Sequence, residues 1–404
     1  MLQFSKRLLL IFACLFSSTA LPQQIEPAEF SGVLTGIDVL QKEAFQLIEG
    51  KKIGLITNHS GKNRSGVRNI DLLFEQKSHT LVRLFSPEHG LGGNENRDDI
   101  GNSIDQKTGL TIISLYGAQR APLPEQIRDL DILLFDIQDV GARFFTYIST
   151  MKLAMQVAAQ MKVKFLVLDR PNPNGGILWG GVNKIDQESF VSIHDIPLLH
   201  GMTMGEIAEL FKRENFPTLE LEVVKLKNWN RKDYWENTQL PWINPSPALK
   251  NMKSVFLYPA TAQMEFVLSV GRGTDKVFEQ IGAPYIDPQK FLEKLNDLKI
   301  EGVRFTATTF IPTYDIYKNQ RCGGVFIEIL NRDLVNTAEL GLMLAHTVNK
   351  LYPRNFDLSK FNVLVKHAET IEDLSKGRSL NSILRNWRSE NDLFNKRRSA
   401  ALLY

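Results

Sequence analysis

A chain of 404 residues, 43% apolar and 23% charged with a formal net charge of +3, has the make-up of a soluble globular protein of two or three domains. It is long enough to bury a core without disulfides or metals. Its near-balanced charge excludes nucleic acid and an anionic membrane surface as expected partners, because no basic excess is available to neutralise phosphates.

The chain opens with Lys6-Arg7, an apolar run over 8–16 and the small residues Ser18-Thr19-Ala20. That order predicts a secretory signal peptide over 1–20, cleaved before Leu21. Its apolar run is too short to span a bilayer in a mature protein. The expected location is the periplasm. Ile11-Phe12-Ala13-Cys14 loosely resembles a lipobox, but Phe12 fits poorly, so a lipoprotein is the lesser alternative, as is a fully secreted protein. No later stretch is apolar enough to cross a membrane. Signal removal leaves Cys322 as the remaining cysteine, expected to be an inert buried hydrophobe.

Residues 21–35 lack periodicity and read as a linker. From 36 to 248, strands alternate with helices. The strands are expected over 53–57, 80–86, 111–115, 132–136, 164–168 and 219–224. The helices are expected over 67–76, 124–130, 147–161 and 203–214. Pro124 suits a helix start, where its missing N–H costs little. Thr203 and Glu206 form a capping box. Continuous apolar strands between helices predict an α/β fold: a Rossmann-like parallel sheet covered by helices. Residues 229–247 are rich in Pro and Trp and read as an irregular wall. Over 249–404 the order changes. Strands are expected at 255–258, 303–310 and 323–329, with helices at 288–296, 337–351 and 380–399. This is a smaller α+β C-terminal domain that closes the cleft.

Four apolar strands end in polar clusters: Thr57-Asn58-His59, Ser86-Pro87-Glu88-His89-Gly90, Asp136-Ile137-Gln138-Asp139 and Asp169-Arg170-Pro171-Asn172. Ligands of open α/β sheets bind outside the carboxyl ends of strands, so these clusters predict one active-site rim. The long loops 88–109 and 170–201 follow two of those ends and read as functional. Glu88 is the leading candidate. Pro87 and His89-Gly90 hold it on a stiff turn, and apolar walls would raise its carboxyl into the range of a general acid. A loop-bracing role competes. His89 either orients substrate, tunes Glu88 or is structural. Asp136 and Asp139 suit a base, a hydroxyl acceptor, a metal ligand or a helix cap. Arg143 suits a substrate carboxylate, or an ion pair with either Asp. Tyr147, at the start of its helix, is placed to aim its phenol into the cleft or to pack in the core. His200 precedes a helix and either reaches the cleft or closes a turn. Arg272, in the Gly-rich run 269–274, folds over the cleft or belongs to a tight turn.

No G-x-G-x-x-G follows the first strand, and G-x-x-x-x-G-K-[ST], H-E-x-x-H and G-x-S-x-G do not occur. No nucleotide cofactor and no metal are therefore expected. A convergence of His59, His89 and Asp136 on a metal is the weak alternative.

Taken together, these clusters resemble the exo-β-N-acetylmuramidases of the NamZ type. The matching segments are GLITNHSG (54–61), FSPEHG (85–90), SLYG (114–117), FDIQDVGARFFTYIST (135–150), LDRPNPNGG (168–176), HGMTMGE (200–206), PWINPSP (241–247) and VGRGTDKVFEQIGAP (270–284), with Leu402-Leu403-Tyr404 at the end. They run in order over nearly all of the expected mature chain. The resemblance implies a Rossmann-like catalytic domain and a smaller second domain with the cleft between them. It also implies removal of the non-reducing terminal N-acetylmuramic acid (MurNAc) from peptidoglycan fragments. It makes Glu88 and Tyr147 the catalytic pair. From the strand-end clusters, His59, Asn58, His89, Asp136, Asp139, Arg143, Asp169, Arg170, Asn172, His200 and Arg272 are the expected substrate contacts, and the resemblance gives Arg143 or Arg272 the lactyl carboxylate. The chain departs from the family pattern at 92–103 and at 262–268, where Glu265 keeps an acid. The competing readings are a periplasmic muropeptide- or sugar-binding protein without catalysis, and a metal-dependent amidase or esterase.

Overall fold

The computed structural model describes residues 32–95 and 100–404. The expected signal peptide over 1–20, residues 21–31 of the linker, and residues 96–99 of the loop after Glu88 lie outside the described residues. In chain order the strands are β1 (Lys52–Thr57), β2 (Thr80–Ser86), β3 (Ser103–Ile104), β4 (Thr111–Ser114), β5 (Ile132–Asp136), β6 (Lys164–Leu168), β7 (Leu178–Trp179), β8 (Leu199–His200), β9 (Leu221–Val224), β10 (Gln280–Ala283), β11 (Val303–Phe310) and β12 (Cys322–Ile329).

The apolar runs of the N-terminal half form one sheet in the order β3-β4-β2-β1-β5-β6-β9, parallel except where β3 meets β4. From β1 the chain builds outwards through β2 and β4 on one side, and through β5, β6 and β9 on the other. The order therefore reverses between β1 and β5, the place where open α/β sheets bind ligands at the strands' carboxyl ends. Every residue of β5 is buried, as expected of a strand covered on both faces. Its side chains alternate: Leu133 and Phe135 join one apolar cluster, Ile132 and Leu134 the cluster on the opposite face.

The first of those clusters does not stop at residue 248. It runs from Phe135, Phe165 and Phe211 into Val255, Phe278, Val325 and Trp387. The C-terminal half is thus packed on the sheet's helical layer through shared apolar surface. Its own sheet is antiparallel, in the order β10-β12-β11. The end of the expected linker is also part of the fold: Val33 N–H donates to Thr238 O at 3.1 Å, and Leu34 N–H to Lys227 O at 3.0 Å.

Several expectations need correction. Residues 255–258 are not a strand but lie within the helix Met252–Thr261. A short apolar run reads equally as a buried strand or a buried helix. Here Asn251 decides, its side chain accepting the Ser254 N–H at 2.9 Å as an N-cap. β10 was not expected because Gln280–Ala283 contains glycine. Gly282 faces Gly324 across the ladder, and a Cβ at Gly282 would come within 2.5 Å of Gly323 O. The helices Gly36–Lys42, Leu358–Val365 and Ala368–Ser375 were also missed; each is two turns, too short for its apolar period to show. The Thr203 capping box is present, with Thr203 Oγ1 accepting from Glu206 N–H. Cys322 is buried and free, and burial pushes its thiol up to about 11. Among the described residues, no helix is long and apolar enough to cross a membrane.

The turn after β5 depends on Gly141. Its φ is +77°, Asp139 Oδ1 accepts its N–H at 2.7 Å, and a Cβ there would fall 2.4 Å from Asn172 Oδ1. Gly141→Ala is expected to destabilise the protein by about 1–3 kcal/mol. Urea unfolding checks this, and an unchanged midpoint would show that the turn tolerates a side chain.

Candidate active site

A cavity of about 480 Å³ opens beside the carboxyl ends of β2 and β4. Glu88 and His89 form one wall, Tyr116 and Arg120 a second, and Phe144, Phe145 and Thr146 a third. Ser189 and Phe190 come from the loop after β6, and Tyr258, Glu265 and Arg272 from the C-terminal half.

Local backbone geometry presents Glu88. The chain leaves β2 through Pro87, whose carbonyl accepts the Gly90 N–H at 3.0 Å, and His89 takes a left-handed φ of 70°. His89 Nδ1 is fixed 2.9 Å from Glu95 O. Thr146 Oγ1 donates to Glu88 Oε2. Thr146 is the N-cap of the helix Tyr147–Met161, so the Glu88 side chain is anchored at the start of that helix. Across the cavity, Arg272 donates from Nη2 and Nε to Glu265 Oε2 at 2.9 and 3.3 Å. Arg272 also lies 3.5 Å from Asp315 and over the Phe278 ring. Burial pushes the Glu265 carboxyl up, while Arg272 opposes that shift.

Of the residues expected at the rim, Glu88, His89 and Arg272 line this cavity. Tyr147 is not part of that lining, although its hydroxyl lies 3.5 Å from Glu88 O. It is 1% exposed, its hydroxyl donates to Pro245 O at 2.6 Å, and it accepts from Asn58 Nδ2 at 3.0 Å. Successive helical residues point about 100° apart. Thr146 faces the cavity, and the next residue turns into the interior. Burial holds the Tyr147 phenol well above its ordinary range. Asn58 is committed behind the wall as well, its Oδ1 accepting from Ser60 N–H at 2.9 Å. His59 Nε2 lies 2.6 Å from Asn244 O, and burial lowers its pKa.

The remaining expected contacts prove to be internal braces. Arg143 is wholly buried and donates to three backbone carbonyls, Gly181 O at 2.9 Å, Ile196 O at 2.8 Å and Val365 O. It is therefore not a cation of the cleft, and burial lowers it to about 9. Arg170 grips Asp136 at 2.5 and 3.0 Å, and Asn69 Nδ2 adds a further bond to Asp136 at 2.8 Å. Asp169 accepts from Thr203 Oγ1, Gly205 N–H and Tyr404 OH at 2.7–2.8 Å, and burial raises it to about 6. Asn172 Nδ2 donates to Met202 O at 3.0 Å. His200 Nδ1 accepts from Met202 N–H at 3.2 Å, and burial lowers that imidazole to about 3. Arg143, Asn172 and His200 share one cause: backbone groups outside the sheet ladder need partners, and these buried side chains supply them.

Thr146, Tyr116, Arg120, Phe190 and Tyr258 were missed. Thr146 lies beside Tyr147 in sequence, but only the helix phase separates their directions. Tyr258 was hidden in the run misread as a strand. Among the described residues, the clusters with converging ligand atoms are His194–Asp195–Glu214 and His367–Glu369–Glu390; His59, His89 and Asp136 do not form one. Both clusters contact cations, through Lys152 and Arg397 in the first and Lys184 in the second.

Asp139 lies behind the cavity wall, 5% exposed, with Oδ2 unpartnered. Burial moves its carboxyl from 3.8 up to about 7. A raised acid holds its proton in the folded state, so its stabilising contribution is complete below the unfolded value near 3.8 and is lost as pH rises through about 7. Asp139→Asn is expected to remove that loss, gaining stability over wild type by about 1–3 kcal/mol between pH 5 and 8. Denaturation at both pH values tests it; a pH-independent difference would place the proton elsewhere.

Known proteins resemble the chain along its length. The model of the N-terminal domain of exo-beta-N-acetylmuramidase NamZ matches residues 53–253, and that of its C-terminal domain matches 256–404. The chain is 40% identical over 403 residues to peptidoglycan beta-N-acetylmuramidase NamZ of Bacillus subtilis (strain 168), covering 98% of this chain and 97% of that protein. Two crystal structures of DUF1343 family proteins from Bacteroides fragilis NCTC 9343 share the fold. One has a TM-score of 0.86 at 35% identity, over 93% of this chain and all of that one. The other has a TM-score of 0.75 at 30% identity, over 93% of this chain and 99% of that one.

Proposed function

The chain belongs to the exo-β-N-acetylmuramidase NamZ family, glycosidases of peptidoglycan, and from that premise we propose that it releases the non-reducing terminal MurNAc from short fragments such as MurNAc-GlcNAc, in cell-wall turnover or recycling. The observation that carries this reading is Glu88, whose carboxyl faces a cavity of about 480 Å³ and is oriented by the Thr146 hydroxyl. Protonated Glu88 donates to the glycosidic oxygen as the bond from the MurNAc anomeric carbon breaks. Water then supplies hydroxide to that carbon, and its other proton restores the acid. With Asp136 tied to Arg170 and Asp139 behind the wall, Glu265 is the second carboxyl of the cavity.

Arg272 suits the lactyl carboxylate that distinguishes MurNAc. Its Nε and Nη2 point at Glu265, while Nη1 has no partner among the described residues. An anionic group placed there completes a charge-assisted pair. Turnover of wild type and Glu88→Gln on MurNAc-GlcNAc, followed by mass spectrometry, tests the assignment. Free MurNAc is expected from wild type, with a loss of at least about 100-fold in Glu88→Gln. Near-normal turnover by Glu88→Gln removes it as the acid. Intact disaccharide with wild type, alongside MurNAc release from longer glycans, would instead move the preference to longer chains.

The basic pair Lys6-Arg7 and the apolar run after it support export to the periplasm. Recovered from the periplasm of an expressing Gram-negative cell, the protein is expected to begin at Leu21. A cytosolic product that keeps residues 1–20 sinks the export reading.

A further inference from the structure

A buried phenol normally hydrogen-bonds, because a hydroxyl removed from water without a partner costs free energy. Tyr258 is 8% exposed, yet its hydroxyl has no partner among the described residues. Nor is that oxygen sealed inside, since Tyr258 lines the cavity that holds Glu88, Glu265 and Arg272. The ring is clamped edge-on by Phe144, Phe145 and Phe278, with centroids 5.2, 5.9 and 4.9 Å away. The helix that carries it is tied to the Phe278 segment by Thr261 Oγ1, which donates to Phe278 O at 3.1 Å. A rigid donor with no work to do in the free protein is what a binding site requires. Tyr147 is the opposite case, with its hydroxyl already bonded to Pro245 and Asn58 and 3.5 Å from Glu88 O.

We propose that Tyr258, not Tyr147, is the phenol that contacts the bound sugar, donating its O–H to an oxygen of the N-acetylated amino sugar seated against Glu88. This rests on the muramidase reading of the same cavity. Burial, reinforced by the neighbouring Glu265, holds the phenol well above its ordinary range. Tyr258 therefore works as a neutral donor at physiological pH and not as a phenolate nucleophile. Its loss leaves a sugar oxygen unpaired in a confined site while leaving the protein's own hydrogen bonds intact.

Tyr258→Phe and Tyr147→Phe separate the two roles. Each is assayed for MurNAc release from solubilised peptidoglycan glycans, for thermal stability, and for binding of free MurNAc by calorimetry. Tyr258→Phe is expected to lower kcat/KM by about 10- to 100-fold and weaken MurNAc binding, with Tm close to wild type. Tyr147→Phe, which loses the bonds to Pro245 and Asn58, is expected to lower Tm well below that of Tyr258→Phe. A kcat/KM for Tyr258→Phe within twofold of wild type overturns the proposal. If wild type itself releases no MurNAc, the muramidase reading fails separately. The MurNAc titration then decides: weaker binding by Tyr258→Phe supports the contact, and an unchanged Kd removes it.

Discussion

The buried ion pair between Asp136 and Arg170 is the joint on which the rim of the sheet is built. It couples the carboxyl end of β5 to the segment leaving β6, and Asn69 and the Lys62 carbonyl complete its hydrogen bonds. An ion pair removed from water is tolerated when its geometry is good and further hydrogen bonds support it, as Asn69 and Lys62 do here. Asp169 and Arg143 brace the chain farther along through bonds to neutral groups. One gathers Thr203, Gly205 and Tyr404; the other draws three carbonyls from separate segments onto one guanidinium. These braces fix the loops in place, and the loops in turn give the cavity its walls.

The chemistry of the cavity comes from both halves of the chain. The first supplies Glu88 on a turn and Thr146 at a helix N-terminus. The second supplies Tyr258, Glu265 and Arg272. The continuous apolar cluster beneath them makes this division workable, because it holds the two sets of side chains in one rigid frame. Two carboxyls then line one cavity in different settings. Glu88 has a hydroxyl donor at the start of a helix, whereas Glu265 has a guanidinium and aromatic walls. Unequal surroundings of this kind are how a site gives two similar groups different tasks.

The fold was largely legible because periodicity is a local property that burial imposes on long segments. The parallel sheet, the helices Tyr147–Met161, Pro288–Asn296 and Thr337–Leu351, and the Thr203 cap all follow from patterns within a few turns of chain. Residues 255–258 were misread because an apolar run that short carries no period, and the deciding signal was a single N-cap, Asn251.

The site was legible in position but not in role. The order of residues alone determined an α/β architecture, a polar rim at the strand ends, Glu88 on a constrained turn and membership of a glycosidase family. It could not separate polar side chains that serve a ligand from those that serve the backbone, since both occur at strand ends and both are Asp, Asn, His or Arg. Tertiary structure made that separation. It turned Arg143, Arg170, Asp169 and His200 inwards and committed Tyr147 to Pro245. It brought Tyr258, Glu265 and Arg272 to Glu88 across more than 150 residues of chain. The physical reason is that a side chain's role depends on which hydrogen-bond partners remain unfilled around it, and those partners come from distant segments that only the folded chain places together.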